Sequence, residues 1–298
     1  MAGPTGARAE GGGGDAREPP PPPRSPRGPD SEPLARLARG CEQFILRPRR
    51  YFTAWGGVLT LAFDGVPGQV GELKRALEEA LPGLPQENFG SKWPKVSLGC
   101  LRDGRTLTRD ELGALDRLCT ELSHDFGERG VSGLHPETPL NSSGWGTPRL
   151  VRDSLDVTGG GLLVDRLELV LFACRSLEKR LHTTTLCLGD KIKWPQDIDA
   201  SVTDGVLAER LADNYWDGVA KAGNREAHYR EAAWGATLVA PVGWDERSVG
   251  TTGCPRAFFP ALQLAVRAFR LKVDELLPGA YAWFSTDSLH VTVRGLFG

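Results

Sequence analysis

Apolar residues recur at two spacings along this chain, and the spacings separate predicted strands from predicted helices. Short runs rich in β-prone residues predict strands at residues 58–63, 95–101, 162–174, 181–188, 236–242 and 288–296. Apolar positions three and four residues apart predict helices at residues 70–81, 108–122, 206–220 and 258–277, the last being the longest. Strands and helices alternate irregularly, which predicts an α+β fold of antiparallel sheets with helices on their outer faces.

Local composition divides the chain into a tail and a globular body. The first 34 residues include a glycine run at 11–14 and a proline run at 19–23, and such a segment cannot bury a core. We therefore predict a disordered tail at residues 1–34 and one domain at 35–298. Residues 127–160 are rich in Gly, Pro, Ser and Thr and predict a long flexible loop within that domain.

Charge and cysteine usage narrow the classes of partner. The formal net charge is -2, so the chain lacks the basic field with which proteins bind duplex DNA, although a small phosphate ligand needs only a local positive site. No apolar run is long enough to span a bilayer, and the acids in the tail are atypical of a transit peptide, so we predict a cytoplasmic protein. The six cysteines form no C-x-x-C pair, and we expect neither a metal nor a cofactor.

Two histidines lie in predicted strands with a hydroxyl two residues further on, in His182-Thr-Thr184 and His290-Val-Thr292. Residues i and i+2 of a strand point to the same face, so each triplet presents an imidazole beside a hydroxyl. The imidazole can move a proton near neutral pH, and the hydroxyl can donate to a phosphoryl oxygen. Two such triplets on facing strands would supply a general base and a general acid, each worth on the order of 10²–10⁴ in rate.

These triplets resemble the H-x-[ST]-x motifs of the two-histidine phosphoesterase superfamily. Residues 283–296 resemble that family's motif strand and its lead-in, and residues 181–190 resemble it more loosely. Residues 92–99 and 224–231 add a similarity to plant and algal proteins described as RNA ligase or cyclic nucleotide phosphodiesterase-like, and the likeness covers about residues 50–298.

The resemblance implies a bilobal fold with both motif strands facing a central cleft. It implies a metal-independent phosphoesterase, or an RNA ligase-like protein, acting on a 2′,3′-cyclic or 2′,5′-linked nucleotide or RNA end. His182 and His290 would then transfer protons, and Thr184 and Thr292 would bind the phosphate. The expected partner is a nucleotide or RNA end, and neither duplex DNA nor a membrane is expected.

A second arrangement is compatible with the same sequence. Lys95-Val-Ser97 has the shape of the histidine triplets with a lysine in front, so Lys95 and Ser97 could supply the second half-site. Even spacing predicts Arg294 on the face of His290 as a further phosphate-binding cation. In this arrangement His182 lies on an unrelated face, and the chain is a nucleotide- or phosphate-binding module or a scaffold without turnover.

Overall fold

Two four-stranded antiparallel sheets organise the folded chain. The structure is a computed structural model, and it describes residues 32–87, 93–131, 161–192, 197–212, 214–220, 225–242 and 260–297. The strands are β1 (Phe44–Leu46), β2 (Pro48–Ala54), β3 (Val58–Phe63), β4 (Val66–Pro67), β5 (Lys95–Leu101), β6 (Leu162–Val164), β7 (Arg166–Phe172), β8 (Arg180–Cys187), β9 (Ile198–Asp199), β10 (Gly235–Pro241), β11 (Tyr281–Trp283) and β12 (His290–Phe297). The helices are α1 (Glu32–Gly40), α2 (Gly68–Ala80), α3 (Arg109–Val131), α4 (Ser201–Glu209), α5 (Tyr215–Ala220), α6 (Arg225–Arg230) and α7 (Pro260–Leu276).

The first sheet has the strand order β12-β10-β7-β8, and the second has the order β11-β5-β3-β2. Neighbouring strands are antiparallel throughout both sheets. Two short antiparallel pairs, β1 with β6 and β4 with β9, complete the strand pairing. Strand β12, at the edge of the first sheet, lies close to β5 of the second sheet. The fold is therefore mixed α+β with antiparallel sheets, as the order of elements predicted.

One apolar core joins the two sheets. Alternate residues of the strands enter it, including Leu61 and Leu98 from the second sheet and Leu169 and Leu238 from the first. Helices α2, α3 and α7 add further buried side chains: Leu77, Leu115 and Phe269. Because strand side chains alternate, each sheet is left with one face outside this core. Those outer faces carry the predicted site residues of β5 and β12.

A capping box starts α3. The backbone N–H of Thr108 donates to Oε2 of Glu111 at 2.8 Å, and the backbone N–H of Glu111 donates to Oγ1 of Thr108 at 3.2 Å. The helix is the longest in the described chain at 23 residues, so the prediction that residues 258–277 form the longest helix is wrong. It also extends to Val131, beyond residue 127 where the flexible loop was predicted to begin.

Two predicted elements are divided in the structure. The helix predicted at residues 206–220 is two helices, α4 and α5. Arg210, just past the end of α4, contacts Asp116 at 3.1 Å, and Tyr215 is buried at the start of α5. The strand predicted at residues 162–174 is divided at Asp165, where the chain passes from the pair with β1 to the first sheet.

The predicted tail also ends earlier than expected. Helix α1 begins at Glu32 and buries Leu34, so residues 32–34 belong to the folded unit. Residues 1–31 and 132–160, which include most of the predicted tail and loop, lie outside the described residues. Among the residues that are described, no helix combines the length and the apolar character needed to cross a bilayer.

Candidate functional site

His290 is held rigidly at the start of β12. Its neighbours Leu289 and Val291 are buried in the core, whereas His290 itself is half-buried on the opposite face. The ring Nδ1 lies 2.6 Å from the carbonyl oxygen of Ser288. A carbonyl can only accept, so Nδ1 carries the proton and Nε2 is the basic nitrogen of the neutral ring. The alternation predicted for the His290 triplet is confirmed.

A pocket of about 950 Å³ opens beside this imidazole, and we call it the His290 pocket. His290, Thr292 and Arg294 line it from β12, and Thr237 lines it from β10. The turn between β7 and β8 adds Arg175 and Leu177. The hydroxyl of Thr237 is already used, since it donates to the carbonyl oxygen of Arg294 at 3.1 Å. The pocket thus combines an imidazole, a hydroxyl, two guanidinium groups and the carboxylate of Glu87.

The side chain of Arg294 is buried and makes its contacts within the protein, which the sequence did not indicate. Its side chain is only 2% exposed, and Nη2 donates to the carbonyl oxygen of Pro85 at 2.9 Å. Glu78 and Glu87 lie 3.4 and 3.5 Å from its guanidinium, and Glu87 also contacts Nζ of Lys74 at 3.1 Å. Burial, assisted by the charge of Arg294, lowers the pKa of Lys74. Two acids therefore match these two cations, and Arg294 has little charge to offer a ligand.

The strand does not alternate evenly as far as Arg294. Thr292 pairs with Val239, but Arg294 pairs with the adjacent Leu238, so Val293 is an extra residue in the ladder. Such a bulge changes the direction of the following side chains. Even spacing alone was therefore an insufficient reason to place Arg294 beside His290, although both residues do line the His290 pocket.

His182 lies on β8, at the far edge of the first sheet from β12. It is exposed, and a hydrogen bond of 3.1 Å joins its Nε2 to Oγ1 of Thr184. His182 pairs with Leu171 and Thr184 pairs with Leu169. Directly paired residues share a face, so His182 and Thr184 point to the face that carries the core leucines.

The residues of β12 point the other way. Thr292 pairs with Val239, and Val239 pairs with Glu168. Glu168 alternates with Leu169, so His290 and Thr292 occupy the face opposite to His182. Three inter-strand spacings, roughly 14 Å in total, separate the two edge strands. The expectation that both histidine triplets face one cleft is therefore corrected: the structure does not bring the two imidazoles together.

The Lys95 triplet matches the His290 triplet more closely than the His182 triplet does. Val96 is buried in the core between the half-buried Lys95 and Ser97, just as Val291 is buried between His290 and Thr292. In the His182 triplet the middle residue is exposed. A buried middle residue anchors the strand and aims its neighbours at the outer face, and β5 and β12 both have this arrangement.

Lys95 and Ser97 line a second pocket of about 830 Å³, which we call the Lys95 pocket. Its other functional side chains are Phe52, Trp55, Thr60, Trp93, Glu209, Tyr215, Arg225 and Tyr229. Nζ of Lys95 lies 4.8 Å from the ring centroid of Trp93, within the range of a cation–π contact. The indole N–H of Trp55 donates to Oε2 of Glu209 at 3.0 Å. The pocket is aromatic, with cations at its wall.

Tyr229 contributes a hydroxyl to the Lys95 pocket. Burial raises the pKa of Tyr229, although a hydrogen bond with the side chain of Ser97 partly opposes that shift. The phenol therefore keeps its proton at neutral pH. Ser97 and Tyr229 form a pair of hydroxyls beside Lys95, and each can donate a hydrogen bond to an anion.

Arg225 reaches the Lys95 pocket because Gly56 has no side chain. A Cβ atom on Gly56 would lie 2.1 Å from Nε of Arg225, and the φ of Gly56 is +69°. Helix α6, which begins at Arg225, is fixed from outside by Asp103. The Asp103 carboxylate accepts the backbone N–H groups of Glu226 and Ala227, each at 3.1 Å. Sequence reasoning considered Arg225 as an anion-binding residue but did not place it beside Lys95, because its approach to Gly56 joins residues that are distant in sequence.

The turn that lines the His290 pocket is hydrogen-bonded to α6, the helix that contributes to the Lys95 pocket. Arg175 of the His290 pocket donates from Nη1 to the carbonyl oxygen of His228 at 3.3 Å. The next residue, Ser176, donates its N–H to the carbonyl oxygen of Tyr229 at 3.0 Å, and Tyr229 lines the Lys95 pocket. The turn after β7 and α6 are therefore joined by two hydrogen bonds, while Lys95 and His290 line different cavities.

Within the described ranges, no three His, Cys, Asp or Glu residues cluster in a way that could hold a metal ion. The two pockets present imidazole, hydroxyl, cationic and aromatic groups, together with one carboxylate each, Glu209 in the Lys95 pocket and Glu87 in the His290 pocket. Comparisons of the chain with protein-family models, with curated proteins and with solved structures found no match.

Proposed function

We propose that this chain binds a nucleotide or an RNA end, with the base and its phosphate in the Lys95 pocket. The observation that carries the proposal is the composition of that pocket: the exposed indole of Trp55 and the ring of Tyr229 lie in one pocket with the cations Lys95 and Arg225, whereas Trp93 is only 4% exposed and contacts Lys95. Stacking on an aromatic side chain is worth about 1–3 kcal/mol per base, and it tolerates any base because each has a π-face.

The phosphate end of the ligand would contact Lys95, Arg225 and the hydroxyl of Ser97. Lysine offers a compact charge, and arginine offers a planar fork that suits two phosphoryl oxygens at once. Arg225 is half-buried against Gly56, and this position limits the side-chain freedom that it would lose on binding. The hydroxyls of Ser97 and Tyr229 would complete the shell of donors.

The finer fold that fits this proposal is a bilobal, two-histidine-phosphoesterase-like arrangement in which lysine replaces one histidine. Its support is the matched layout of the triplets on β5 and β12, each with a buried middle valine and two half-buried outer residues. Lys95 and Ser97 then take the half-site first considered for His182 and Thr184. This substitution favours binding over two-imidazole catalysis, because His290 is the one histidine among the described residues that line either pocket.

A second candidate function is hydrolysis with His290 as the general base. The bond from Nδ1 to the Ser288 carbonyl favours it, because it presents a basic Nε2 in the neutral ring. If the protein hydrolyses nucleoside 2′,3′-cyclic phosphates, His290→Ala should lower turnover by about 10² or more. Equal turnover by the folded variant would remove His290 from any mechanism.

Tryptophan fluorescence tests the binding proposal, because Trp55 and Trp93 line the pocket. Adenosine 2′,3′-cyclic phosphate and adenosine 2′-phosphate should quench the emission saturably. Trp55→Leu should lower the affinity several-fold, since stacking is lost. Trp234→Leu is the matched control, because Trp234 is 50% exposed against 46% for Trp55 and lines neither pocket. No saturable response to any nucleotide at millimolar concentration would overturn the proposal and favour a scaffold.

A further inference from the structure

One carboxylate lies among the aromatic and cationic groups of the Lys95 pocket. Glu209, the last residue of α4, is the one acid among the described residues that line this pocket. Its Oε2 accepts the indole N–H of Trp55 at 3.0 Å, and this is the one hydrogen bond that the described part of the chain makes to its side chain. A carboxylate offers about four lone-pair positions, so most of them remain for N–H donors of a ligand.

The ring of Trp55 is held by contacts on several sides. Gly218 of α5 lies against its benzene ring, where an added Cβ atom would overlap Cζ3. Tyr215, at the start of α5, meets the indole edge-on with ring centroids 6.1 Å apart. The hydrogen bond to Glu209 holds the pyrrole side. The indole is nevertheless 46% exposed, so a preorganised surface remains on which a base can stack.

The Glu209 carboxylate lies at the edge of this stacking surface. An indole N–H points along the plane of its ring, so the oxygen that accepts it lies beside that plane. A base stacked on Trp55 is parallel to the same plane, and one of its edges can then reach the carboxylate. The next residue, Gly56, is the one against which the Arg225 guanidinium lies. The turn between β2 and β3 therefore joins the stacking surface to a cation of the proposed phosphate site.

The four bases differ in what they offer a carboxylate. Guanine carries two adjacent N–H donors on its Watson–Crick edge, at N1 and N2, and these match the two oxygens of one carboxylate. Adenine and cytosine each place an acceptor nitrogen beside the amino group, and uracil places its N–H between two carbonyl oxygens. Each of these three bases would set an acceptor against the carboxylate, which is unfavourable. Stacking alone tolerates any base, so the carboxylate decides the preference.

We propose that the Lys95 pocket selects guanine, with Glu209 accepting the N1–H and N2–H groups of a base stacked on Trp55. The inference rests on the proposed function and names the ligand class of the same site. That class is a guanosine nucleotide, or an RNA end whose terminal base is guanine. Glu209 would then determine specificity, while Lys95 and Arg225 contact the phosphate.

Calorimetry with the 2′,3′-cyclic phosphates of guanosine, inosine and adenosine tests the inference. The wild-type chain should bind the guanosine ligand about tenfold more tightly than the adenosine ligand. Inosine keeps N1–H but lacks the 2-amino group, so its affinity should lie between the two. Glu209→Gln should abolish the preference for guanosine without weakening the adenosine ligand. Asp204→Asn is the matched control, because it removes an exposed acidic charge from the same helix and lines neither pocket.

The outcomes separate the two proposals. If the guanosine and adenosine ligands bind the wild type equally, guanine selection is overturned and the nucleotide-binding proposal stands. Equal weakening of all three ligands by Glu209→Gln would also overturn the selection, because the carboxylate would then contact the ribose hydroxyls that the ligands share. Loss of the preference in Asp204→Asn would overturn it as well, since the effect would be general electrostatics. If none of the three ligands binds, both proposals fail.

Discussion

His182 and His290 lie on opposite edges and opposite faces of the same four-stranded sheet, with β7 and β10 between them. The pairing of His182 with Leu171 turns its imidazole toward the face of the core leucines, beyond the reach of the His290 pocket. Two-histidine catalysis needs both rings at one phosphorus, and this separation prevents it. The site proposed for binding is therefore the Lys95 pocket, with Lys95 and Arg225 as its cations, and His290 is the one histidine proposed for catalysis.

His182→Ala should therefore be silent. The side chain is exposed, and its hydrogen bond is to the neighbouring Thr184. We therefore expect the free energy of unfolding to change by no more than about 0.5 kcal/mol. The affinity for adenosine 2′,3′-cyclic phosphate should be the same as that of the wild type. Urea unfolding and a fluorescence titration check both expectations, and a loss of nucleotide affinity would return His182 to the site.

Gly56→Ala should weaken nucleotide binding through Arg225. The new Cβ would meet the guanidinium of Arg225 and displace it from the Lys95 pocket. Gly104→Ala is the matched control, because its φ of +74° gives similar backbone strain with no atom within 4 Å of the added Cβ. Both variants should lose on the order of 1 kcal/mol of stability, but only Gly56→Ala should lose affinity. Equal affinities in the two variants would show that Arg225 does not contact the ligand.

The sequence predicted what depends on local spacing and missed what depends on long-range packing. Alternation along β12 identified His290 as an outer-face residue, with Val291 buried on the opposite face. The face of His182 depends on the register of four strands that are distant in sequence. No local pattern carries that information, because a shift of one residue reverses every side chain.

The cations that the sequence did not place correctly have the same explanation. Arg175 precedes the turn at Leu177, whose positive φ is atypical of leucine and therefore unreadable from residue type. Arg225 lines the same pocket as Lys95 from the start of α6, which Asp103 caps. These contacts join α6 to residues that are distant from it in sequence. Arg294 was assigned a ligand role from its spacing alone. Its acidic partners, Glu78 and Glu87, come from α2 and the segment after it, which are distant in sequence.

Glu178→Gln should destabilise the turn between the two pockets. Burial raises the pKa of Glu178, but the hydrogen bonds from Arg230, the Ser285 N–H and Ser176 more than offset this effect, and the net shift is downward. A carboxylate with a lowered pKa stabilises the fold fully above its unfolded pKa, and this stabilisation is lost as the pH falls through the folded pKa. At pH 7 we expect a loss of about 1–3 kcal/mol in the variant.

Urea unfolding of the wild type and Glu178→Gln at several pH values checks the sign of this effect. The difference in unfolding free energy should be largest at neutral pH. It should shrink below about pH 4.3, where the unfolded carboxyl takes up its proton. A difference that stays constant down to pH 3 would mean that the charge of Glu178 is not what holds the turn.

The central claim, a nucleotide phosphate bound beside Lys95, is tested most directly by calorimetry with Lys95→Met. Methionine retains much of the apolar stem of lysine and removes the charge, and Lys272→Met is the control because Lys272 is exposed on α7 and lines neither pocket. We predict that Lys95→Met binds adenosine 2′,3′-cyclic phosphate about tenfold more weakly than wild type, while Lys272→Met matches the wild type. Equal affinities for wild type, Lys95→Met and Lys272→Met would contradict the account.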